Sequence, residues 1–353
     1  MFFLVFNLAF VLFRNVPLGR LTLYNSVFKG RERLPFGENP SKSHSISLFN
    51  LDAMLASHVI QDEYNSEHEY NIVLLGDSSV WGFLQEPQDT LAGILNRSGL
   101  SCAGKPVKVY NLAYPSLSVV KDLMLLNEVK SHAPNMVLWL VTLESLPVSM
   151  QMKTPLVASN HSAINHMLEE FGLMDFPQLP DRWSDNTLIA RRRELADLMR
   201  LQLYGVAWSA TGIDQHYPID FVPAQRDLEA DQSFHDLLPG EMTETDLSLE
   251  VIVKAVDTLK DINFILINEP ILISQGENSH LRYNFYYPRW AYDQYRDIMQ
   301  AKMAESAIQY VDFWDLIPEK HFTNSAIHLD KEGELLLADE ILSLVQENCH
   351  LPQ

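Results

Sequence analysis

Five short, nearly continuous apolar runs, separated by segments with helical spacing, constrain the fold of this chain more than any other feature. Uninterrupted runs of Val, Ile and Leu are typical of strands in a parallel sheet that is buried on both faces. The runs occupy 71–79, where the last residues form a polar turn, and 107–112, 136–143, 263–268 and 309–313. Their alternation with helical segments predicts an α/β fold with a doubly wound, five-stranded parallel sheet.

Two helices are predicted from apolar residues at helical spacing, one after the second strand and one at the end of the chain. Their apolar positions are Leu117, Val120, Leu123, Leu125 and Val129, and Leu335, Leu336, Leu337, Ile341 and Leu344. Between 147 and 249 the alternation lapses into Pro-containing loops, an arginine cluster at 191–193 and a predicted helix over 194–208. We predict an inserted, mainly helical cap over 147–249, set into a core formed by 67–146 and 250–348.

Charge and composition exclude several classes of function. The 26 Lys and Arg stand against 46 Asp and Glu, and the net charge of −20 repels nucleic-acid phosphates. We therefore predict no nucleic-acid partner.

Cys102 and Cys349 lie far apart and in no CxxC pattern, which favours two unpaired thiols. His161 and His166 do not share a helix face, and no dinucleotide or Walker fingerprint occurs, so we predict no metal and no cofactor.

The N-terminal residues form an uncharged apolar run. Residues 2–13 (FFLVFNLAFVLF) precede the basic residues Arg14, Arg20 and Lys29. The run is shorter than the roughly 20 residues of a membrane-spanning helix. We interpret 1–20 as a truncated membrane anchor or signal segment and 21–66 as a linker or surface wrap. The alternative for the apolar run is a short helix packed on the domain.

A serine follows the first predicted strand, in the turn Gly76-Asp77-Ser78-Ser79. In doubly wound sheets ligands bind beyond the carboxyl ends of the strands. A serine on a tight turn there exposes its hydroxyl, and its own N–H can face a developing oxyanion. Ser78 is therefore the candidate nucleophile, and the alternative is that this serine only caps the next helix.

The segment HFTNSAIHLDKEG, just before the last helix, contains the candidate base. His328 lies in a loop that can reach the first strand, and a serine nucleophile needs a base within hydrogen-bond distance. Asn324 is the nearest residue that can orient the imidazole, since an amide oxygen can accept from one ring nitrogen. Asp330 is predicted to be the N-cap of the final helix.

Four segments, VLLGDSSVWG, VYNLAYPSLS, VLWLVTLES and FTNSAIHLDKEG, resemble in order the four sequence blocks of the SGNH (GDSL) hydrolase superfamily. The resemblance implies a three-layer, flavodoxin-like α/β/α sandwich. It also implies that Ser78 is the nucleophile and His328 the base, acting on an ester or another acyl donor. The resemblance covers about 70–146 and 251–345.

The chain departs from the family pattern at three places. Ser325 stands where the family has the Asp of the triad, with Asn324 before it. In the second block, NLAYPS, Ala113 replaces an oxyanion-hole glycine, and Asn111 opens the same block. In the third block Glu144 lies near the place of a donor Asn. Since an ionised Glu cannot donate, the donor is Thr142, a protonated Glu144, or another group such as Asn268.

A looser resemblance links FILINEPILIS and RYNFYYPRWAYDQYR to extracytoplasmic acyl-transfer branches of the superfamily, including the D-alanyl-transfer protein and polysaccharide O-acetyltransferases. This resemblance implies a membrane-anchored protein outside the cytoplasm, whereas the basic residues after the apolar run by themselves favour a cytoplasmic body. Asn268, Glu269 and Pro270 either line the pocket or form a simple turn. The aromatic residues of 283–295 are predicted to fill a core.

Two functions of different classes follow from these features. The first is a serine esterase or O-acyltransferase that uses an acyl-enzyme and acts on an ester of a cell-envelope polysaccharide or lipid. The second is a non-catalytic module of the same fold that binds a glycan or a protein partner. The departures in the motifs favour the second, and the retention of both Ser78 and His328 favours the first.

Overall fold

The computed structural model describes residues 1–13, 18–27, 30–36, 49–180, 187–212 and 220–349. The chain divides into two units, one of Met1–Tyr64 and Pro155–Gln215, the other of Asn65–Thr154 and His216–Gln353. The strands are β1 (Tyr70–Leu75), β2 (Ser101–Cys102), β3 (Lys105–Asn111), β4 (Met136–Val141), β5 (Asn263–Asn268) and β6 (Gln309–Asp312). The α-helices are α1 (Phe2–Ala9), α2 (Leu23–Val27), α3 (Leu51–Ala56), α4 (Val59–Glu63), α5 (Ser78–Trp81), α6 (Leu91–Arg97), α7 (Val119–Val129), α8 (Pro155–Ser159), α9 (His161–Glu170), α10 (Arg192–Thr211), α11 (Leu249–Thr258), α12 (Arg289–Glu305) and α13 (Lys331–Asn348).

The second unit contains one sheet with the strand order β2-β3-β1-β4-β5-β6. The five predicted strands are all present and all parallel, in the flavodoxin-like order once β2 is set aside. The sheet nevertheless has six strands and is mixed, because β2 pairs antiparallel with β3. This two-residue strand is joined to β3 through Ala103 and Gly104, both at positive φ, and is too short to give an apolar period.

Helices cover both faces of this sheet. Every residue of β1 and β4 is buried, as expected for central strands enclosed on two sides. On the helical layers, α6 packs against α13 and α7 packs against α11. The α/β/α sandwich is therefore confirmed. Asp330 accepts from the Gly333 N–H at 2.8 Å and is the N-cap of α13, as predicted.

The strand register brings three loops to one edge of the sheet. Leu75 of β1 lies beside Trp139 of β4, and Leu74 lies beside Asn111 of β3. The chain connects β1 first to one neighbour and then crosses to the other, so a topological switch point lies beside β1. Ligand-binding groups in this fold are expected at this edge, directly after β1.

The first unit contains α1 to α4 and α8 to α10. Within it Trp208 of α10 packs edge-on against Tyr24 of α2, with ring centroids 6.4 Å apart. The predicted helix over 194–208 is present as part of α10. The apolar N-terminal run forms α1 followed by a 3-10 helix, and in the described part of the chain no helix has the length and apolar character to cross a membrane. Arg14, Lys29 and 37–48 lie outside the described residues, as do 181–186 and 213–219 of the predicted cap.

The two cysteines are paired, so the prediction of two unpaired thiols is wrong. Cys102 of β2 and Cys349, just after α13, form a disulfide with their Cα atoms 5.1 Å apart. They are separated by 247 residues in sequence. β2 is too short to be recognised from an apolar pattern, and the pairing depends on the fold bringing this edge strand to the end of the last helix.

Candidate active site

The turn after β1 is shaped to present Ser78. Asp77 is the N-cap of α5, and its carboxylate accepts from the Ser79 N–H at 2.7 Å. Gly76 has a φ of 156°, and a Cβ at this position would lie 2.5 Å from the side chain of Val80. A residue with a side chain would therefore displace the helix that follows. These constraints place Ser78 at the first position of α5, where an N–H has no partner within the helix.

Ser78, His328 and Asn324 form a hydrogen-bonded series. The Ser78 Oγ lies 2.7 Å from the His328 Nε2, and the His328 Nδ1 lies 2.8 Å from the Asn324 Oδ1. Since the amide oxygen only accepts, the His328 Nδ1–H donates to it and the Nε2 accepts the Ser78 hydroxyl proton. The three residues named from the sequence are thus brought together in the order that a nucleophile, a base and an orienting group require.

The surroundings of His328 keep its imidazole neutral. The side chain is buried and stacks on Phe83, with ring centroids 4.6 Å apart. Burial lowers the pKa of His328 to about 3. A neutral amide partner does not stabilise the imidazolium as a carboxylate would. His328 is therefore in the base form across the neutral range.

The second block lies beside this turn, although its groups are already partnered. The Ala113 N–H, predicted to be an oxyanion donor, donates to the Asn111 Oδ1 at 3.1 Å. The Asn111 amide in turn donates to the carbonyl of Val80 in α5 at 2.9 Å, so this side chain connects the end of β3 to the helix of the nucleophile. In contrast, no acceptor within the described residues faces the Ser78 N–H.

The remaining predicted oxyanion donors hydrogen-bond to residues other than Ser78 and His328. The Thr142 hydroxyl donates to the Tyr287 hydroxyl at 3.1 Å. The Asn268 oxygen accepts from Tyr292 and Tyr295, and its amide donates to Asp312 at 2.8 Å.

Glu144 also binds a different partner. Its carboxylate binds His235, with the Nε2 at 2.8 Å from one oxygen. Across the described residues, neither Ser78 nor His328 hydrogen-bonds to Thr142, Glu144 or Asn268.

Lys121, which was not among the predicted site residues, binds the backbone of the nucleophile turn. The Lys121 Nζ donates to the carbonyl of Gly76 at 2.6 Å and to that of Tyr114 at 2.8 Å, and it pairs with Asp122 at 2.7 Å. Its side chain is completely buried. The available sign was that seven of the eleven residues of α7 are apolar, as in a helix that is largely buried, so a charged residue on it requires buried partners.

The aromatic segment is mostly core, as predicted. Tyr283, Tyr287, Tyr292 and Tyr295 are buried. Phe285 and Trp290 are half-buried, and 39% of the surface of Tyr286 is exposed. Among the described residues no group of three or more His, Cys, Asp or Glu side chains is placed to hold a metal ion.

Comparison with known proteins finds similarity in structure only. No protein-family model and no curated protein sequence matches the chain. A lipase/acylhydrolase from Enterococcus faecalis is similar at 16% identity and a TM-score of 0.41, covering 80% of this chain and 98% of its own. A lipolytic protein of the G-D-S-L family from Veillonella parvula is similar at 11% identity and a TM-score of 0.38, covering 78% of this chain and 98% of its own. A carbohydrate acetylesterase from Sinorhizobium meliloti is similar at 12% identity and a TM-score of 0.38, covering 78% of this chain and 98% of its own.

Proposed function

We propose that the chain is a serine ester hydrolase of the SGNH type, with Ser78 as nucleophile, His328 as base and Asn324 as the group that orients the base. The observation that carries the proposal is the series of two short hydrogen bonds from Ser78 through His328 to Asn324. A serine that only capped a helix would not need a buried, neutral imidazole on its hydroxyl.

The reaction follows from this geometry. The Ser78 Oγ attacks the ester carbonyl as the His328 Nε2 takes its proton, and the carbonyl oxygen becomes an oxyanion near the unpartnered Ser78 N–H. The Ala113 N–H is a second donor if the oxyanion displaces Asn111 as its acceptor. The imidazolium then gives the proton to the departing alkoxide, leaving an acyl-serine. Water, deprotonated by His328, adds to the acyl carbon and releases the acid and Ser78.

An acceptor hydroxyl in place of water would make the same centre an O-acyltransferase. We propose an ester of an envelope polysaccharide or lipid as the substrate class, with the chain tethered through its N-terminus outside the cytoplasm. The Cys102–Cys349 disulfide supports an oxidising compartment, because such bonds rarely persist in the reducing cytosol. The apolar side chains exposed on α1 support the tether.

A non-catalytic binding module remains the second candidate. One observation favours it: the side chains of Thr142 and Asn268 are committed to a buried tyrosine cluster, and the Ala113 N–H is held by Asn111. Of the predicted donors, the Ser78 N–H alone then has no acceptor among the described residues. Losing a single oxyanion donor slows acyl transfer by roughly 100- to 1000-fold.

Labelling by a fluorophosphonate probe distinguishes the two candidates without knowledge of the substrate. We expect the wild-type chain and Ser343→Ala, which alters an exposed serine on α13, to be labelled at equal rates. Ser78→Ala and His328→Ala should not be labelled. Equal labelling of the wild type and Ser78→Ala would contradict the proposed nucleophile. No labelling of the folded wild type would favour the binding module.

A further inference from the structure

Two buried carboxyl groups bind Ser79, the residue after the nucleophile. Ser79, the neighbour of the nucleophile, donates its N–H to Asp77 at 2.7 Å and its hydroxyl to the Glu269 Oε2. Glu269 follows β5, and its N–H donates to the carbonyl of Val141 at 2.9 Å, which fixes it at the end of β4. Asp77 and Glu269 are 3% and 2% exposed. Water therefore does not screen the two carboxyls from each other.

Both carboxyls are thus buried against the same residue, Ser79, and the charge of Asp77 acts on Glu269, so one of the two carries a proton. Burial raises the pKa of both groups, and the charge of Asp77 raises that of Glu269 further, well above its ordinary value. The Lys121 charge lowers the pKa of Asp77. The proton therefore belongs on Glu269. The Glu269 Oε1, buried and without a donor within the described residues, is an available site for it.

Other titratable groups lie around Glu269. Asp122 of α7 adds negative charge, and burial raises the pKa of Asp122 itself to about 6. The hydroxyls of Tyr287 and Tyr292 lie near enough for Glu269 to raise their pKa. Glu334 of α13 lines a small cavity together with Ser79 and Glu269, and burial raises the pKa of Glu334 to about 8. Lys121, which pairs with Asp122, supplies a positive charge beside these acids.

We infer that Glu269 is a positioning residue for the reaction and acts as a neutral carboxylic acid, donating its proton to Asp77 while accepting the hydroxyl proton of Ser79. In this arrangement Glu269 holds both Ser79 and Asp77, the N-cap of α5. The position of these two residues sets the direction of the Ser78 Oγ toward His328. The inference rests on the proposed function. Loss of the Glu269 proton would place two carboxylates in contact, and their repulsion would release Ser79.

This role predicts that the rate at which Ser78 is labelled falls at alkaline pH, because Glu269 loses its proton there. In Glu269→Gln the amide stays neutral at every pH, can donate to Asp77 and can accept from Ser79. We expect its rate of fluorophosphonate labelling at neutral pH to lie within about threefold of the wild type, and the alkaline decline to disappear. Glu269→Ala should be labelled roughly 10- to 100-fold more slowly, the range expected when a reacting group is misplaced by about 1 Å or less.

Glu334→Gln is the matched control, because it removes a buried carboxyl from the same cavity and leaves the hydrogen bonds of Ser79 to Asp77 and Glu269 in place. Its alkaline decline should equal that of the wild type. The inference is overturned if Glu269→Gln keeps the decline, if Glu334→Gln alone removes it, or if Glu269→Gln is as slow as Glu269→Ala while melting at the wild-type temperature.

A second measurement does not depend on catalysis. The infrared difference between wild type and Glu269→Gln at neutral pH should contain the carbonyl stretch of a protonated carboxylic acid. A carboxylate band in its place would refute the neutral form. A wild-type chain that shows the acid band yet is not labelled would mean that the proposed function has failed while the neutral Glu269 stands.

Discussion

Asn324 is the residue that most distinguishes this candidate site from a triad with a carboxylate. Its Oδ1 accepts from the His328 Nδ1 at 2.8 Å, so the tautomer and direction of the ring are set as a carboxylate would set them. What the amide lacks is a negative charge beside the imidazolium that forms during attack. The orientation of the base is therefore retained, and part of its electrostatic support is absent.

Replacing Asn324 by Asp should restore that charge. We expect Asn324→Asp to raise the pKa of His328 above its value of about 3, and to raise the labelling rate at neutral pH roughly tenfold. Because only neutral His328 acts as base, the acid limb of the rate profile should move to higher pH. Asn324→Ala should slow labelling at all pH values. An Asn324→Asp protein that is slower than Asn324→Ala would show that the amide is not the orienting group.

At the scale of elements, a two-residue hairpin turn is fixed to the end of β4. Phe234 and Leu237 pair through their backbones, and the residues between them, His235 and Asp236, have φ values of 47° and 68°. Such left-handed conformations are unfavourable for residues with a Cβ. The contact of His235 with Glu144 at 2.8 Å holds this turn beside the sheet edge that carries the candidate site.

The hydrogen bond to Glu144 raises the pKa of His235 above its ordinary value, and this gives the pair a defined pH dependence. A raised pKa in the folded chain means that the pair's stabilisation is complete below about 6.5 and is lost as the pH rises through the folded pKa. In Glu144→Gln we expect an NMR titration to place the pKa of His235 lower than in the wild type. An unchanged pKa would mean that the pair does not form in solution.

The elements also show what the sequence could reveal. The five parallel strands were predictable from their apolar runs and α13 from its helical spacing, and Ser78, His328 and Asn324 because they lie in short motifs beside β1 and α13. Lys121 and the pairing of Glu269 with Ser79 were not predictable, because no motif links the partners of these contacts, which lie 45 and 190 positions apart. Thr142 lies in a motif, but the motif did not show that its hydroxyl binds Tyr287.

For the molecule as a whole, the Cys102–Cys349 disulfide joins an edge strand to the end of the chain and closes a loop of 247 residues. A cross-link over so long a loop removes much of the freedom of the unfolded chain and stabilises a domain by typically 2–5 kcal/mol. Cys102 lies on the edge strand β2, and Cys349 lies at the far end of the 18-residue α13 from His328. Their effect should therefore be on unfolding and not on the reactivity of the serine.

We expect reduction to lower the urea midpoint of the wild-type chain while leaving the labelling rate of Ser78 in native buffer unchanged. The Cys102→Ala/Cys349→Ala double variant should unfold at the midpoint of the reduced wild type and be indifferent to reductant, which separates the bond from other effects of the reducing agent. Two reactive thiols in the urea-unfolded chain without reductant would show that the bond is not formed. A wild-type midpoint that reductant does not move would show that the bond adds nothing to stability, and the unfolded chain would then be restricted by other contacts.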